Sequence, residues 1–240
     1  MGEAVKLSIL VPFRDADGTR TPGKEWMLRR WAHFWPEAEI VVASDDGVNP
    51  FNKSMAVNHA ASRATGDVFA ILDADTWIDP VWVHRGLELL TKGVAWVIPA
   101  RRSLRLRRDI SERILALPPD GPLPTITATH AEGAVGAVVG FLWLVPREGF
   151  ERIGGMDERI RGWGGEDSMF LLAMDKVVGK HHRLGGMVIS LWHARPRDED
   201  GKRIWEGQGR RRDTGVEKEA LAARYGAAKS AAAMLRVLER

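Results

Sequence analysis

Short apolar runs alternate with helical patterns along the first hundred residues, and the runs stop at charged side chains. Leu7-Ser8-Ile9-Leu10-Val11 closes at Pro12 and leads to Arg14-Asp15. Glu39-Ile40-Val41-Val42-Ala43 ends at Asp45-Asp46-Gly47, and Val68-Phe69-Ala70-Ile71-Leu72 ends at Asp73-Ala74-Asp75. A further run covers 94–98, and residues 25–34, 54–64 and 81–90 between the runs have helical patterns. Ala56, Ala60 and Ala64 stand at four-residue spacing in the second of these. This βαβαβαβ order predicts an α/β fold with a mostly parallel central sheet flanked by helices. Ligands of such sheets bind outside the carboxyl ends of the strands, so the charged groups are predicted to share one edge.

The pair Asp73 and Asp75 sets a condition on the backbone. Alternate residues of an extended chain face opposite ways, so both carboxylates can serve one ligand only if the chain turns there. Hard oxygens of this kind suit Mg²⁺ or Mn²⁺ carrying a diphosphate. A second acidic pair ends Gly162-Trp163-Gly164-Gly165-Glu166-Asp167. Its glycines let the backbone approach a ligand, and Trp163 offers a flat face to a sugar ring. Glu166 and Asp167 open a predicted helix over 166–175, a favourable place for negative charge. One carboxylate pair for a metal and another beside an aromatic platform suggest group transfer from an activated donor.

The second half is less regular. Residues 110–117 and a short stretch from Pro146 to about Glu151 read as helices, and 118–124 is a loop with four prolines. An apolar strand is predicted over 135–145 and a last strand over 188–192, followed by His193. The polar, glycine-containing segment 195–214 has the length of a lid, and 217–225 and 229–238 read as C-terminal helices. The whole is read as one domain over 1–240, with a nucleotide-binding half (1–100), an acceptor and catalytic part (101–195), and a lid with helices (196–240).

Zero cysteines exclude disulfides, thiolate catalysis and cysteine zinc sites, and fit a cytoplasmic location. The N-terminus does not read as a signal peptide, and the longest apolar stretch, 134–145, is too short to span a bilayer. Net charge is +3, so local pattern matters more than balance. Arg101, Arg102, Arg105, Arg107 and Arg108 form one cluster and Arg210-Arg211-Arg212 another. They read either as solvated faces or as a docking patch for phosphates of a donor, a nucleic acid or an anionic lipid.

The ordered set of motifs resembles a nucleotide-sugar glycosyltransferase of the GT-A fold, which is Rossmann-like. The match is to family 2 and, more closely, to the β-1,4-galactosyltransferase and polypeptide N-acetylgalactosaminyltransferase C-terminal type, over roughly residues 7–193. Pro12-Phe13-Arg14-Asp15 resembles the motif that holds the nucleotide base and ribose. Phe51-Asn52-Lys53, followed by Asn58, resembles a second donor-side motif in which the galactosyltransferases usually have Arg where Lys53 stands. Asp73-Ala74-Asp75 resembles the DxD metal motif, and His193 the further metal ligand. Gly154-Gly155-Met156-Asp157-Glu158 and the segment ending in Glu166-Asp167 resemble the acceptor and catalytic segment.

The resemblance implies a hexosyltransferase using Mn²⁺ or Mg²⁺ and a nucleotide-sugar, UDP-hexose first. Asp73, Asp75 and His193 would hold the metal, and Asp167 would be the base, with Glu166 and Trp163 positioning the acceptor. Pro12, Phe13, Arg14, Asp45, Asp46, Phe51, Lys53 and Asn58 would line the donor site, although Asp45 and Asp46 also read as turn residues before Gly47. The acceptor stays open among nucleic acid, protein, glycan and lipid-linked molecules. A nucleotidyltransferase and a binding module without activity are the rival readings.

Overall fold

The structure is a computed structural model and describes residues 5–15, 18–47, 51–135, 139–162, 164–194 and 216–239. The predicted lid, Trp163 and Arg210-Arg211-Arg212 lie outside these residues. The first half runs β1 (Leu7–Pro12), α1 (Thr21–Phe34), β2 (Glu39–Ala43), α2 (Lys53–Arg63), β3 (Val68–Leu72), β4 (Thr76–Ile78), α3 (Pro80–Thr91) and β5 (Val97–Leu106). The second runs α4 (Arg108–Leu115), β6 (Ala131–Val135), β7 (Leu142–Pro146), α5 (Arg147–Arg152), α6 (Glu166–Val177), β8 (His182–Ser190), α7 (Val216–Ala227) and α8 (Ala231–Leu238).

The helices start where local chemistry allows. Asn52 caps α2 by accepting the Met55 N–H at 3.1 Å, and Asp79 caps α3 by accepting from Val81. Pro80 at the head of α3 and Pro22 in the first turn of α1 give up N–H groups that would have no helical partner.

All strands join one eight-stranded sheet of order β2-β1-β3-β7-β5-β8-β4, with β6 on β5. It is mixed rather than mostly parallel. β1 pairs in parallel with β2 and β3, and β5 with β8. β7 is antiparallel to both β3 and β5, and β4 is antiparallel to β8. The long excursion after β5 delivers the chain to the ligand edge, so β7 enters the sheet from that side and must run backwards. Of the apolar run read as one strand over 135–145, Val135 ends β6, residues 139–141 lie outside any strand and Leu142 to Val145 belong to β7, and the three-residue β4 is too short to show a period.

Side-chain alternation sorts the strands onto two cores. Leu10, Phe69, Ile71, Trp143 and Val145 face α2, α6 and the C-terminal helices, with Trp96, Phe150 and Phe170. Ile9, Val11, Val68, Ala70, Leu142 and Leu144 face the other way, with Trp26, Trp31, Trp35 and Trp77. Buried indole N–H groups find carbonyls here: Trp26 donates to Leu117, Trp31 to Thr76 and Trp96 to Gly179. Buried Arg30 lies over the Trp77 ring at 4.5 Å and donates to the Pro119 and Gly121 carbonyls, which pins the proline-rich loop.

β8 matters to the site because its end carries His193. Along it, a Cβ on Gly186 would stand 2.6 Å from the Pro99 carbonyl and 2.7 Å from Ile78 Cδ1. Backbone cannot yield there as a side-chain tip can. Gly186→Ala should therefore destabilise the fold by about 1–3 kcal/mol in denaturant unfolding; a variant as stable as the parent would show that β5 and β8 are less tightly seated.

Candidate active site

The ends of β1, β2, β3 and β8 and the starts of β4 and β7 meet at one edge of the sheet. At the β1 end, Phe13 N–H donates to Ala43 at 2.8 Å, and Lys24 Nζ lies 4.6 Å from the Phe13 ring centre. Arg14 stacks on Phe51 at 5.1 Å and donates to both Asp45 oxygens at 3.1 and 3.2 Å. Asp15 organises the next turn, accepting from Gly18, Arg20 and Thr21. Pro12 closes β1 opposite Ala43.

Asp45 is buried and spent within the protein. Besides Arg14 it accepts the Asn52 N–H at 2.9 Å, so it ties the β2 end to the start of α2. Asp46 instead faces solvent, 3.9 Å from His59. Of the two, the sequence reading of turn residues describes Asp46, and Asp45 acts on Arg14 rather than standing open to a ligand. Asn58 also differs from its expected place among donor-side groups. Its amide donates to the Met156 carbonyl and to Glu158, and its oxygen accepts the Met156 N–H. Gly155 has φ +77°, and a Cβ there would meet Asn58 Oδ1 at 2.5 Å. Asn58 thus clamps the glycine turn that precedes the Glu166-Asp167 segment.

The chain does turn at the acidic pair, as two carboxylates at alternate positions require. Thr76 N–H bonds back to the Asp73 carbonyl, and Asp73 N–H is held by Phe141. The turn sends the side chains to different partners. Asp73 lies 2.8 Å from Lys53 Nζ. Asp75 is buried, accepts from Ser190 Oγ at 2.6 Å, and has His193 Nε2 at 3.7 Å. Burial alone would raise the Asp75 pKa, but the charges of His193, Arg20 and Arg105 and the Ser190 hydroxyl hold it below the usual carboxylate range. The other ring nitrogen, Nδ1, sits 2.8 Å from the Ala194 carbonyl, an acceptor only. In the neutral ring the proton is therefore on Nδ1 and the Nε2 lone pair faces Asp75.

Glu166 and Asp167 open α6 behind Gly165, which has φ +94°. Asp167 Oδ1 is 3.0 Å from Lys53 Nζ, and Oδ2 packs so closely on Gly140 that a Cβ there would stand 1.9 Å away. Glu166 is buried, and its Oε2 has no hydrogen-bond partner among the described residues. Burial, then the Asp167 charge, push its pKa up to about 7 against the pull of Lys53. Burial and Asp73 also raise Asp167, with Lys53 opposing. Burial would lower the Lys53 pKa, but Asp167, Asp73 and Glu166 outweigh it and keep the ammonium charged.

Lys53, Asp73, Asp75, Glu166, Asp167 and His193 are thus brought to one edge, while Arg14 and Phe51 stand beside it. Gly140, Phe141, Ser190 and Trp143, whose ring lies 5.6 Å from Lys53 Nζ, were missed by sequence reasoning. A glycine inside an apolar run marks close backbone approach, and Gly140 carried that signal. Among the described residues no three acidic or histidine side chains already converge on one point. The arginines of 101–108 divide: Arg101 and Arg102 are exposed, whereas Arg107 and Arg108 pair with Asp109 and Glu112.

The family description "Glycosyl transferase family 2" matches residues 28–153, more than half of the chain. The chain belongs to glycosyl transferase family 2. Residues 125–188 also match "N-terminal domain of galactosyltransferase". Among solved structures, the catalytic domain of Drosophila β1,4-galactosyltransferase 7 in complex with xylobiose is similar at TM-score 0.51 and 18% identity, covering 95% of this chain and 84% of that one. A mutant of the same Drosophila enzyme in complex with manganese, UDP-Gal and xylobiose is similar at TM-score 0.52 and 17% identity, covering 91% and 79%. No curated protein matches. The fold is therefore the GT-A galactosyltransferase fold, and the chain is a glycosyltransferase, which sets aside nucleotidyl transfer and a binding module without activity.

A carboxyl raised from 4.5 to about 7 holds its proton more tightly in the folded chain than in the unfolded one. Folding stability from Glu166 is then present below about pH 4.5 and lost as pH rises towards 7. Glu166→Gln should lessen that loss, by up to about 3 kcal/mol. Denaturant unfolding at pH 5 and pH 7.5 measures it, and an equal fall in stability for variant and parent would remove Glu166 as the cause.

Proposed function

We propose that the protein moves a hexose, galactose first, from a UDP-sugar to an acceptor hydroxyl with inversion at the anomeric carbon, in the presence of Mn²⁺ or Mg²⁺. One observation carries this reading: the α6 carboxylate Asp167 stands on the same ammonium as Asp73, beside the Asp75–His193 pair. The donor groups fit a divalent cation of this kind. Mg²⁺ and Mn²⁺ are commonly held by one or two carboxylates plus substrate phosphates, not by a closed protein cage. Asp75 and the Nε2 face of His193 offer such a partial set, with Asp73 next to it. A bound divalent ion would supply neutralisation of the charge that grows on the departing diphosphate. The manganese and UDP-Gal in the similar Drosophila structure favour the same donor.

The residues then divide the work. Arg14, held by Asp45 and stacked on Phe51, faces the nucleotide end with Phe13. Glu166, whose Oε2 has no hydrogen-bond partner among the described residues, orients the acceptor. Asp167 takes the proton of the acceptor hydroxyl as that oxygen bonds to the anomeric carbon and the bond to the UDP oxygen breaks. Trp163, outside the described residues, is assigned to the sugar face by its place in the motif. The acceptor is read as a glycan hydroxyl, in keeping with the xylobiose of the similar enzyme; protein, lipid-linked and nucleic-acid acceptors are the competing classes.

Purified protein with Mn²⁺ offered UDP-, GDP- and TDP-sugars in turn should release nucleoside diphosphate fastest from UDP-galactose. Release from a GDP- or TDP-sugar alone would overturn the donor. Asp167→Asn keeps the shape but cannot take a proton, so turnover should fall about 10²–10⁴-fold with little change in donor affinity. Near-parental turnover at saturating acceptor would refute Asp167 as the base. For the metal, calorimetry should show Mn²⁺ strengthening UDP binding and Asp75→Ala abolishing the gain; equal UDP affinity in chelator and in Mn²⁺ would count against it.

A further inference from the structure

One cation serves two carboxylates at the centre of the site. Lys53 Nζ lies 2.8 Å from Asp73 and 3.0 Å from Asp167. Its position is fixed from both ends of the side chain. Lys53 is the first residue of α2, and the preceding Asn52 is buried, bonded to the Glu158 carbonyl and to Asp45. The ammonium sits over the Trp143 ring. Lys53 holds Asp167 Oδ1, while Oδ2 lies close to Gly140. An acceptor hydroxyl that approaches Oδ1 must compete with the Lys53 ammonium.

A divalent cation on Asp73 would face that ammonium across the same carboxylate, and like charges so close repel strongly where water is scarce. Resting on the donor and metal reading above, we infer that Lys53 is the resident counter-ion of the donor-free site. It fills with an ammonium the charge position a metal would otherwise take at Asp73, so metal alone binds weakly and metal and diphosphate bind together. The diphosphate gives the ammonium new oxygens, since lysine pairs with phosphate as a compact point charge. The move leaves Asp73 to the metal shell and withdraws the cation that covers Asp167 Oδ1. Lys53 acts on the transfer through Asp73 and Asp167, and it meets the donor at the diphosphate, away from the anomeric carbon and the acceptor hydroxyl.

Mn²⁺ binding to the full chain, followed by water-proton relaxation with and without UDP, tests this. Without nucleotide, Lys53→Met should bind Mn²⁺ about tenfold or more tightly than the parent, a difference of about 1.4 kcal/mol. UDP should then raise its metal affinity by a smaller factor than in the parent, whereas Lys53→Arg, which keeps the charge, should stay within about threefold of the parent in nucleotide-free Mn²⁺ affinity. Equal nucleotide-free Mn²⁺ affinity in parent and Lys53→Met overturns the inference. Thermal unfolding checks the fold of each variant, and Lys53→Gln replaces Lys53→Met with the same two outcomes if the latter does not fold. Failure of the parent to bind Mn²⁺ with UDP would strike the donor reading instead, so the two failures are distinct.

Discussion

The balance of one ammonium against the Asp73, Asp167 and Glu166 carboxyls governs this site. Asp73 and Asp167 come from different ends of the chain, and Lys53 holds both within 3.0 Å. Without it, carboxylates of β3 and α6 would face each other in a region poor in water, and burial already drives the Glu166 carboxyl towards its neutral form. The pairing therefore joins the turn after β3 to the start of α6. What surrounds Lys53 serves to keep it there: Asp45 binds the Asn52 N–H, Asn52 caps α2, and Trp143 lies under the ammonium.

The backbone features at the edge follow from the same crowding. Asp167 can lie against β7 only because residue 140 has no Cβ, and Phe141 next to it takes φ +75°, rare outside glycine. That conformation lets the Phe141 carbonyl accept from Asp73 N–H, which steers the acidic turn. On the far side of α6, Asp157 accepts from Arg159 and from Tyr225 of α7, and Arg159 reaches the Val237 carbonyl of α8. The C-terminal helices are thus tied to the loop that leads into α6, and Lys218 of α7 donates to the Arg161 carbonyl within it.

What was legible in the sequence was what periodicity and local chemistry determine. β2 and β3 were bounded correctly because continuous apolar runs end abruptly at Ala43 and Leu72, and the start of α6 was placed because two acids follow glycines, although the helix runs two residues further than 175, to Val177. The need for a turn at 73–75 followed from side-chain alternation alone. Strand direction did not, because nothing within Leu142–Pro146 records from which side it enters the sheet. Nor did the fate of Asp45 and Asn58: a short polar side chain beside a ligand edge looks the same in sequence whether it meets a ligand or clamps a neighbouring loop. Ser190 was invisible because its partner Asp75 is 115 positions away.

The residue at position 53 decides how one positive charge is shared within the site. Arginine presents a planar fork that matches one carboxylate or one phosphate in a bidentate fashion. Lysine presents a point charge with three donors, which can serve two carboxylates from different directions at once. Asp73 Oδ1 and Asp167 Oδ1 approach the Lys53 ammonium from separate elements, β3 and α6, each with one oxygen. A fork would favour one of them and leave the other less well paired. The lysine instead shares its charge between Asp73 and Asp167, so a change in the partners of one carboxylate is felt at the other.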